Sequence, residues 1–147
     1  LPQRFGLVYT AADGTKKTPV IIHRAVMGSI ERMFAMLTEH FAGKWPLWLS
    51  PRQIALCTVS EKHVDYAKQL FNELKRDFNV ETFIDDQKLP NKVRLAQNAQ
   101  FNYIVVIGNN EVEQQMVSVR QRDGTQLGAL SLETFRSLLN EQIDNWK

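Results

Sequence analysis

Apolar and polar positions change period along this chain, and the change predicts alternating strands and helices in its second part. Stretches with apolar residues three or four positions apart, typical of helices, follow Ser60, Pro90 and Ser131. Short apolar or alternating runs, typical of strands, lie at 54–59, 80–84, 103–107, 116–122 and 126–130. This order predicts an α/β fold with an open, mixed, mainly parallel five-stranded sheet and flanking helices.

The first part of the chain has a different pattern. Apolar runs at 5–10 and 19–26 flank Asp13-Gly14, a hairpin signal, and a helix is expected to begin after Gly28 or Ser29. A hairpin with one helix buries too little surface to fold alone. We therefore expect residues 1–52 to be the edge of a larger sheet and residues 53–147 to form a separate domain.

Composition narrows the class of protein without identifying it. The 147 residues are 44% hydrophobic and 23% charged, which is typical of a globular chain of one domain, or of one domain plus a fragment. No apolar run approaches the roughly 18 residues of a membrane span, so no membrane partner is expected. Residues 1–52 hold seven Lys/Arg against three Asp/Glu, and residues 53–147 hold eleven against thirteen. Net charge therefore gives no nucleic-acid signature for the second domain.

Several common sites are absent from the sequence or are explained more simply. Neither GxGxxG after the first α/β strand nor GxxxxGK[ST] occurs, which argues against a nucleotide-binding sheet of those kinds. Asp85-Asp86 follows a strand, where turn chemistry explains it better than a metal or phospho-acceptor pocket. Cys57 lies within a strand and is interpreted as a small core residue.

The stretch IHRAVMGSIER is the most informative part of the sequence. His23 lies in an apolar run, where a packed histidine is more common than a ligand. Arg32 lies in the first turn of a helix, where the helix dipole disfavours a cation. An anionic partner would explain it, and so would a surface salt bridge.

Residues 19–53 resemble the third class-defining motif and exit segment of threonyl-tRNA synthetases, which are class II aminoacyl-tRNA synthetases. Through about residue 144, the chain is similar to the C-terminal anticodon-binding domain of that family. The landmarks SPRQ, KVR, VVIG, VRQRDG and LG occur in the expected order. The resemblance implies a catalytic-domain segment over 1–52 and an anticodon-binding domain over 53–147.

The resemblance also implies roles in the catalytic segment. His23 matches a zinc ligand whose partners would lie outside this chain, Arg32 matches the arginine that holds ATP, and Ser29 lies beside the amino-acid pocket. The full-length enzyme would use zinc and ATP with Mg²⁺ to join threonine to tRNA(Thr), as a homodimer. The fragment alone is expected to bind no cofactor and to lack activity.

In the second domain the resemblance implies recognition of the tRNA(Thr) anticodon loop. The predicted anticodon contacts are Glu111, Arg120, Arg94, Lys92 and Arg122, with the four basic side chains converging opposite Glu111. Threonine anticodons end in GU, and a carboxylate such as Glu111 can accept hydrogen bonds from guanine N1–H and N2–H, while Arg120 can donate to base carbonyls. Without the resemblance, Arg120 and Arg122 are ordinary exposed residues of an alternating strand.

A second hypothesis is a protein-interaction or dimer-support module of the same fold, favoured by the excess of acidic residues in 53–147. The 85–90 loop, DDQKLP, is about two residues shorter than is typical of the family that the chain resembles. The chain ends soon after the last predicted helix. That compact end favours an organellar protein of the mitochondrial matrix over a cytoplasmic one.

Overall fold

A short hairpin is the only β-structure found in the first unit of the computed structural model, which describes residues 1–146. The unit comprises Leu1–Met36. Strands β1 (Tyr9–Thr10) and β2 (Lys16–Lys17) pair antiparallel around the predicted Asp13-Gly14 turn. The prediction of a returning strand over 19–26 is wrong for this chain, since residues 18–25 have no regular secondary structure. Val20 and Ile22 are 89% and 87% exposed, because this segment has no neighbouring strand to pair with.

Helix α1 (Ile30–Phe41) forms where the sequence predicts it and crosses the division between the two units, which lies between Met36 and Leu37. The Ser29 hydroxyl oxygen accepts a hydrogen bond from the Arg32 backbone N–H at 3.4 Å, and the Ser29 carbonyl accepts one from Met33 N–H at 3.0 Å. The Ser29 side chain thus satisfies one backbone donor that the first turn leaves unpaired, and its carbonyl accepts the first regular bond of the helix.

The second unit is built on a five-stranded mixed sheet with strand order β4-β3-β5-β6-β7. Strand β3 lies parallel to both β4 and β5, whereas β6 and β7 add antiparallel strands at one side. The predicted open, mixed α/β sheet is therefore confirmed. The strands are β3 (Ile54–Thr58), β4 (Val80–Phe83), β5 (Tyr103–Ile107), β6 (Met116–Gln121) and β7 (Gln126–Ser131).

The helices of the second unit lie largely where the apolar period places them. They are α2 (Val64–Leu74), α3 (Leu89–Asn98), α4 (Asn109–Gln114) and α5 (Leu132–Asp144), and 3₁₀ turns occupy Leu47–Leu49 and Glu61–His63. Helix α4 directly follows β5, in a stretch where the apolar period predicts no helix. It forms because the Glu111 carboxylate accepts the Gly108 backbone N–H at 2.9 Å, which satisfies a donor ahead of its first turn.

The core lies on both faces of the sheet, and the two faces are covered unequally. Helices α2 and α5 pack on one face, where Leu70, Leu74, Phe135 and Leu139 meet the inward side chains of β3, β5 and β6. On the other face, α3 packs over a smaller cluster of Ala55, Cys57, Ala96, Phe101 and Ile104. Cys57 is fully buried, as predicted, and burial raises the pKa of its thiol to about 12.

Residues 44–52 belong to the second unit and are hydrogen-bonded to the rest of it. The Asn102 side-chain amide donates to the Trp45 carbonyl at 3.0 Å, and the Gln53 amide donates to the Leu47 carbonyl at 2.8 Å. The boundary predicted between residues 52 and 53 therefore follows a segment that already packs on this unit. Within residues 1–146, no helix combines the length and apolarity needed to cross a membrane.

Candidate nucleic-acid interface

The α3 side of the sheet leaves the surface of β6 and β7 open. Directly opposite residues of neighbouring strands point to the same face, and Arg120 is opposite Ile104, which packs under α3. Arg120 therefore points to the α3 side. Ser118 points the same way, since it is opposite the exposed Ala129 of β7. The result is a polar sheet surface beside a helix.

A groove with a volume of about 500 Å³ lies between α3 and this open surface. Arg120 is half-buried, and it is one of the residues that line the groove, most of which are apolar. Helix α3 contributes Leu89, Pro90, Val93 and Gln97, and the strands contribute Val106, Ser118, Val119, Arg120 and Gln126. An apolar wall with a few polar groups suits a flat aromatic base with polar edges.

A β-bulge lies beside Arg120. Val119 is opposite Gly128, but Arg120 is opposite Gln126, so Leu127 is an extra residue in β7. Gly128 has φ +82°, which a side chain rarely allows. A bulge increases the local twist of the strands, and here the irregularity falls where Arg120 enters the groove.

Arg94 lies on the exposed surface of α3. Within residues 1–146 its guanidinium makes no ion pair. An exposed arginine near the groove can neutralise a phosphate.

Lys92 is instead inside the domain. Its side chain is 2% exposed, and its ammonium donates to the Thr58 carbonyl at 3.1 Å and to the Thr58 hydroxyl oxygen at 3.2 Å. Asp85 Oδ1 lies 3.7 Å from the same nitrogen. These partners leave the ammonium no access to a phosphate.

The Arg122 guanidinium is also used within the second unit. It donates to the Trp45 carbonyl at 2.9 Å and to the Lys44 carbonyl at 3.3 Å. Burial lowers the pKa of Arg122 below its ordinary value, and nearby Asp123 partly opposes that shift. Arg122 therefore anchors the segment that enters the domain.

Glu111 lies at the opposite end of the sheet from Arg122. It is half-buried in the first turn of α4, just beyond the carboxyl end of β5, whereas Arg122 is beside Asn102, which precedes β5. Arg120 is opposite Ile104, so it lies roughly 10 Å along the sheet from the end of β5. The structure therefore brings Arg120 and Arg94 to the groove region, and the expected convergence of all four basic residues is not found.

One pair of polar residues escaped sequence reasoning. His63 is 4% exposed, and its Nε2 lies 2.8 Å from Asn109 Oδ1, while its Nδ1 accepts the Ser60 backbone N–H at 3.3 Å. This bond joins the chain after β3 to the start of α4. Ser60-x-x-His63 has the spacing of a capping box with histidine in the last position, which signals the Ser60 contact but not the bond to Asn109.

The predicted catalytic-segment residues are all exposed in the first unit. Ser29 Oγ donates to Glu31 Oε2 at 2.6 Å, which lowers the pKa of the Glu31 carboxyl. Arg32 makes no ion pair within residues 1–146, and His23 lies in the irregular 18–25 segment. In that same described part of the chain, no three potential metal ligands come together. A single histidine does not make a zinc site, which commonly has three or four protein ligands.

Comparison with known proteins places this geometry in a family. The chain is 50% identical over 143 residues to "Threonine--tRNA ligase, mitochondrial 1" of Arabidopsis thaliana, covering 96% of this chain and 20% of that protein. It is 47% identical over 136 residues to "Threonine--tRNA ligase" of Protochlamydia amoebophila strain UWE25, covering 92% of this chain and 21% of that protein. The chain thus spans about a fifth of the length of these curated relatives.

A solved structure agrees with these sequence relatives. The RNA binding domain of threonyl-tRNA synthetase from Cryptosporidium parvum Iowa II matches with a TM-score of 0.77 and 41% identity, covering 96% of this chain and 36% of that chain. The model of the anticodon binding domain family matches residues 53–142. Since that match takes in more than half of the chain, this protein belongs to the anticodon binding domain family.

Proposed function

We propose that this chain is the anticodon-reading part of a threonine–tRNA ligase and that it binds the anticodon loop of tRNA(Thr). The carrying observation is the groove beside α3, which holds Arg120 on a sheet surface that no helix of the described chain covers. The similarity to threonine–tRNA ligases over 96% of the chain supplies the substrate class.

The chemistry of the groove suits one splayed base. A single-stranded loop exposes base faces and Watson–Crick edges, which proteins bind by stacking or apolar contact and by hydrogen bonds. Leu89, Pro90 and Val93 offer an apolar wall, and the Arg120 guanidinium offers donors for the carbonyl oxygens of guanine or uracil. Arg94, exposed on α3, is assigned to the phosphate backbone.

Glu111 is assigned to the guanine of the consecutive G and U with which threonine anticodons end. One carboxylate oxygen, Oε2, accepts the Gly108 N–H, and Oε1 accepts no hydrogen bond from the described residues. A carboxylate has about four acceptor positions, so capacity for guanine N1–H and N2–H remains. Lys92 and Arg122 are not part of the proposed interface, because their charged groups are bonded within the domain.

The catalytic assignments extend to a longer protein. There, Arg32 would hold ATP, Ser29 would lie beside threonine, and His23 would be one of several zinc ligands. The exposure of all three in this fragment is consistent with surfaces that further chain would cover. Catalysis would then depend on positioning and charge stabilisation, and the fragment alone would not aminoacylate. A tRNA charging assay on the 147-residue chain tests this directly, and measurable turnover would refute it.

Binding to anticodon stem-loops tests the central proposal. The chain should bind a stem-loop with a threonine anticodon more tightly than one with both GU bases replaced, and the affinity should fall as salt rises. Equal affinity for both RNAs would refute anticodon reading. No binding to either RNA at low salt would favour the interaction-module hypothesis.

A mitochondrial location and a homodimeric full-length enzyme complete the proposal. The name of the Arabidopsis relative supports the first point, although the chlamydial relative shows that similar chains also occur in bacteria. Import of the full-length precursor into isolated mitochondria tests the location, and sedimentation of the full-length protein tests the dimer.

A further inference from the structure

The His63 ring bridges the carboxyl ends of two neighbouring parallel strands. It belongs to the 3₁₀ turn after β3, and Asn109 begins α4 after β5. The two residues are 46 positions apart, yet His63 Nε2 and Asn109 Oδ1 lie 2.8 Å from each other. At 4% exposure, the ring is held inside the domain.

The hydrogen bonds define which ring nitrogen carries the proton. The Ser60 backbone N–H can only donate, so His63 Nδ1, 3.3 Å away, must accept. Nε2 is then the protonated nitrogen and donates to Asn109 Oδ1. In this tautomer the neutral ring accepts a hydrogen bond from the loop after β3 and donates one to the loop after β5. An apolar side chain of similar size can make neither bond.

The His63–Asn109 bridge lies at the point where the strand order of the sheet reverses. From β3 the chain leads to β4 on one side, and β5 lies on the other side, so the strand order reverses between β3 and β5. Open α/β sheets commonly bind ligands in the crevice at such a point. Here a protein side chain spans the crevice and holds the loop on its far side.

That loop carries the carboxylate assigned above to guanine. Asn109 is the first residue of α4 and Glu111 the third, and the Glu111 carboxylate is tied to Gly108 N–H. Fixing Asn109 therefore fixes the helical turn from which Glu111 projects.

We propose that His63 is a positioning residue for base recognition, which acts through Asn109 to hold Glu111 in the orientation that reads guanine. The proposal rests on the function proposed above, specifically on the role of Glu111. It assigns to His63 no contact with RNA.

The test measures discrimination and not affinity alone. The 147-residue chain is titrated with a threonine anticodon stem-loop and with a matched loop whose anticodon guanine is replaced by adenine, which lacks the N1–H and N2–H donors. His63→Leu should lower the ratio of the two affinities about fivefold or more. His63→Gln should keep most of the ratio, because its amide oxygen can accept from Ser60 and its amide nitrogen can donate to Asn109.

Asn109→Ala removes the same hydrogen bond by changing its other partner. Asn109 is exposed, so this variant removes the bond without changing the core, and it decides the question if His63→Leu does not fold. The double variant should lose no more discrimination than either single variant, since both remove one interaction.

Glu111→Gln separates the two proposals. If it abolishes discrimination while His63→Leu and Asn109→Ala retain the wild-type ratio, the positioning role is overturned and anticodon reading stands. If Glu111→Gln leaves discrimination unchanged, Glu111 does not read the base and the positioning role is overturned with it. A general effect of His63 on stability would lower the affinity for both loops equally, and that result would also overturn the proposal.

Discussion

The Lys92 ammonium lies 3.1 Å from the Thr58 carbonyl oxygen, so a buried charge fastens α3 to the end of β3. Burying an ammonium is costly unless hydrogen bonds and a counter-charge compensate it. Thr58 supplies two acceptors, and Asp85 supplies the opposite charge at 3.7 Å from a half-exposed position. Lys92 is thus part of the fold, although its sequence neighbourhood, KVR, resembles an RNA-contacting motif.

Lys92→Met should lower the free energy of unfolding by roughly 1–3 kcal/mol, because methionine fills the space but leaves the buried Thr58 carbonyl without its donor. Urea unfolding of the 147-residue chain measures this. Lys88→Met, at the exposed position before α3, is the matched control and should change stability little. Equal stability of the two variants would contradict a structural role for Lys92.

The sequence predicted the fold of the second unit better than its site. Periodicity located all five strands because β3, β5 and β6 carry buried apolar residues, and β4 and β7 pack partly buried ones against the same core. The strand predicted over 19–26 does not form because an apolar run becomes a strand only beside a partner strand, and residues 1–146 provide none there. The family resemblance assigns Lys92 to RNA, although this residue lies four positions before the buried Ala96 and hence on the inward face of α3.

Tertiary contacts also give Arg120 and Arg122 different roles, which the sequence does not distinguish. Arg120 lies in β6 and Arg122 directly follows that strand, and the alternating sequence pattern over both residues does not distinguish them. Only the structure shows that Arg120 enters the groove while Arg122 reaches the 44–45 carbonyls. The His63–Asn109 bond was likewise beyond reach, since it joins residues from separate loops.

Arg120→Ala should weaken binding to the threonine anticodon stem-loop by roughly 1–3 kcal/mol and relax base preference, because a base contact carries sequence information. Arg94→Ala should weaken binding to correct and altered loops alike and reduce the salt dependence, as loss of a phosphate contact does. Filter-binding titrations at several salt concentrations compare them. Identical profiles for the two variants would refute the separate roles.

Arg122→Ala should lower the free energy of unfolding by about 1–2 kcal/mol, since the Lys44 carbonyl loses a charged donor while Trp45 keeps its bond from Asn102. Base discrimination should stay at the wild-type ratio. Thermal unfolding and stem-loop titration give the two readouts. Arg76→Ala, exposed at the end of α2, is the control. A loss of discrimination at unchanged stability would restore Arg122 to the RNA interface.

Cys57 should make the domain less stable as pH rises above its ordinary thiol pKa of 9.0. Burial is the largest cause that raises the pKa of the folded thiol to about 12, and it outweighs the opposing charge of Lys92. Between these two values the unfolded chain releases a proton that the folded chain retains, so ionisation stabilises the unfolded state and the free energy of unfolding falls.

Urea unfolding between pH 8 and pH 10 measures this decline, and Cys57→Ala should flatten it. Burial also raises the pKa values of Tyr66 and Tyr103. Both tyrosines therefore lower the free energy of unfolding at high pH as well, but only from about pH 10. This effect is the same in the wild type and in Cys57→Ala. At pH 8 the native thiol should react with a disulfide reagent only as fast as the domain opens. Rapid labelling of the folded chain, or parallel pH profiles for wild type and Cys57→Ala, would show that the thiol ionises without unfolding.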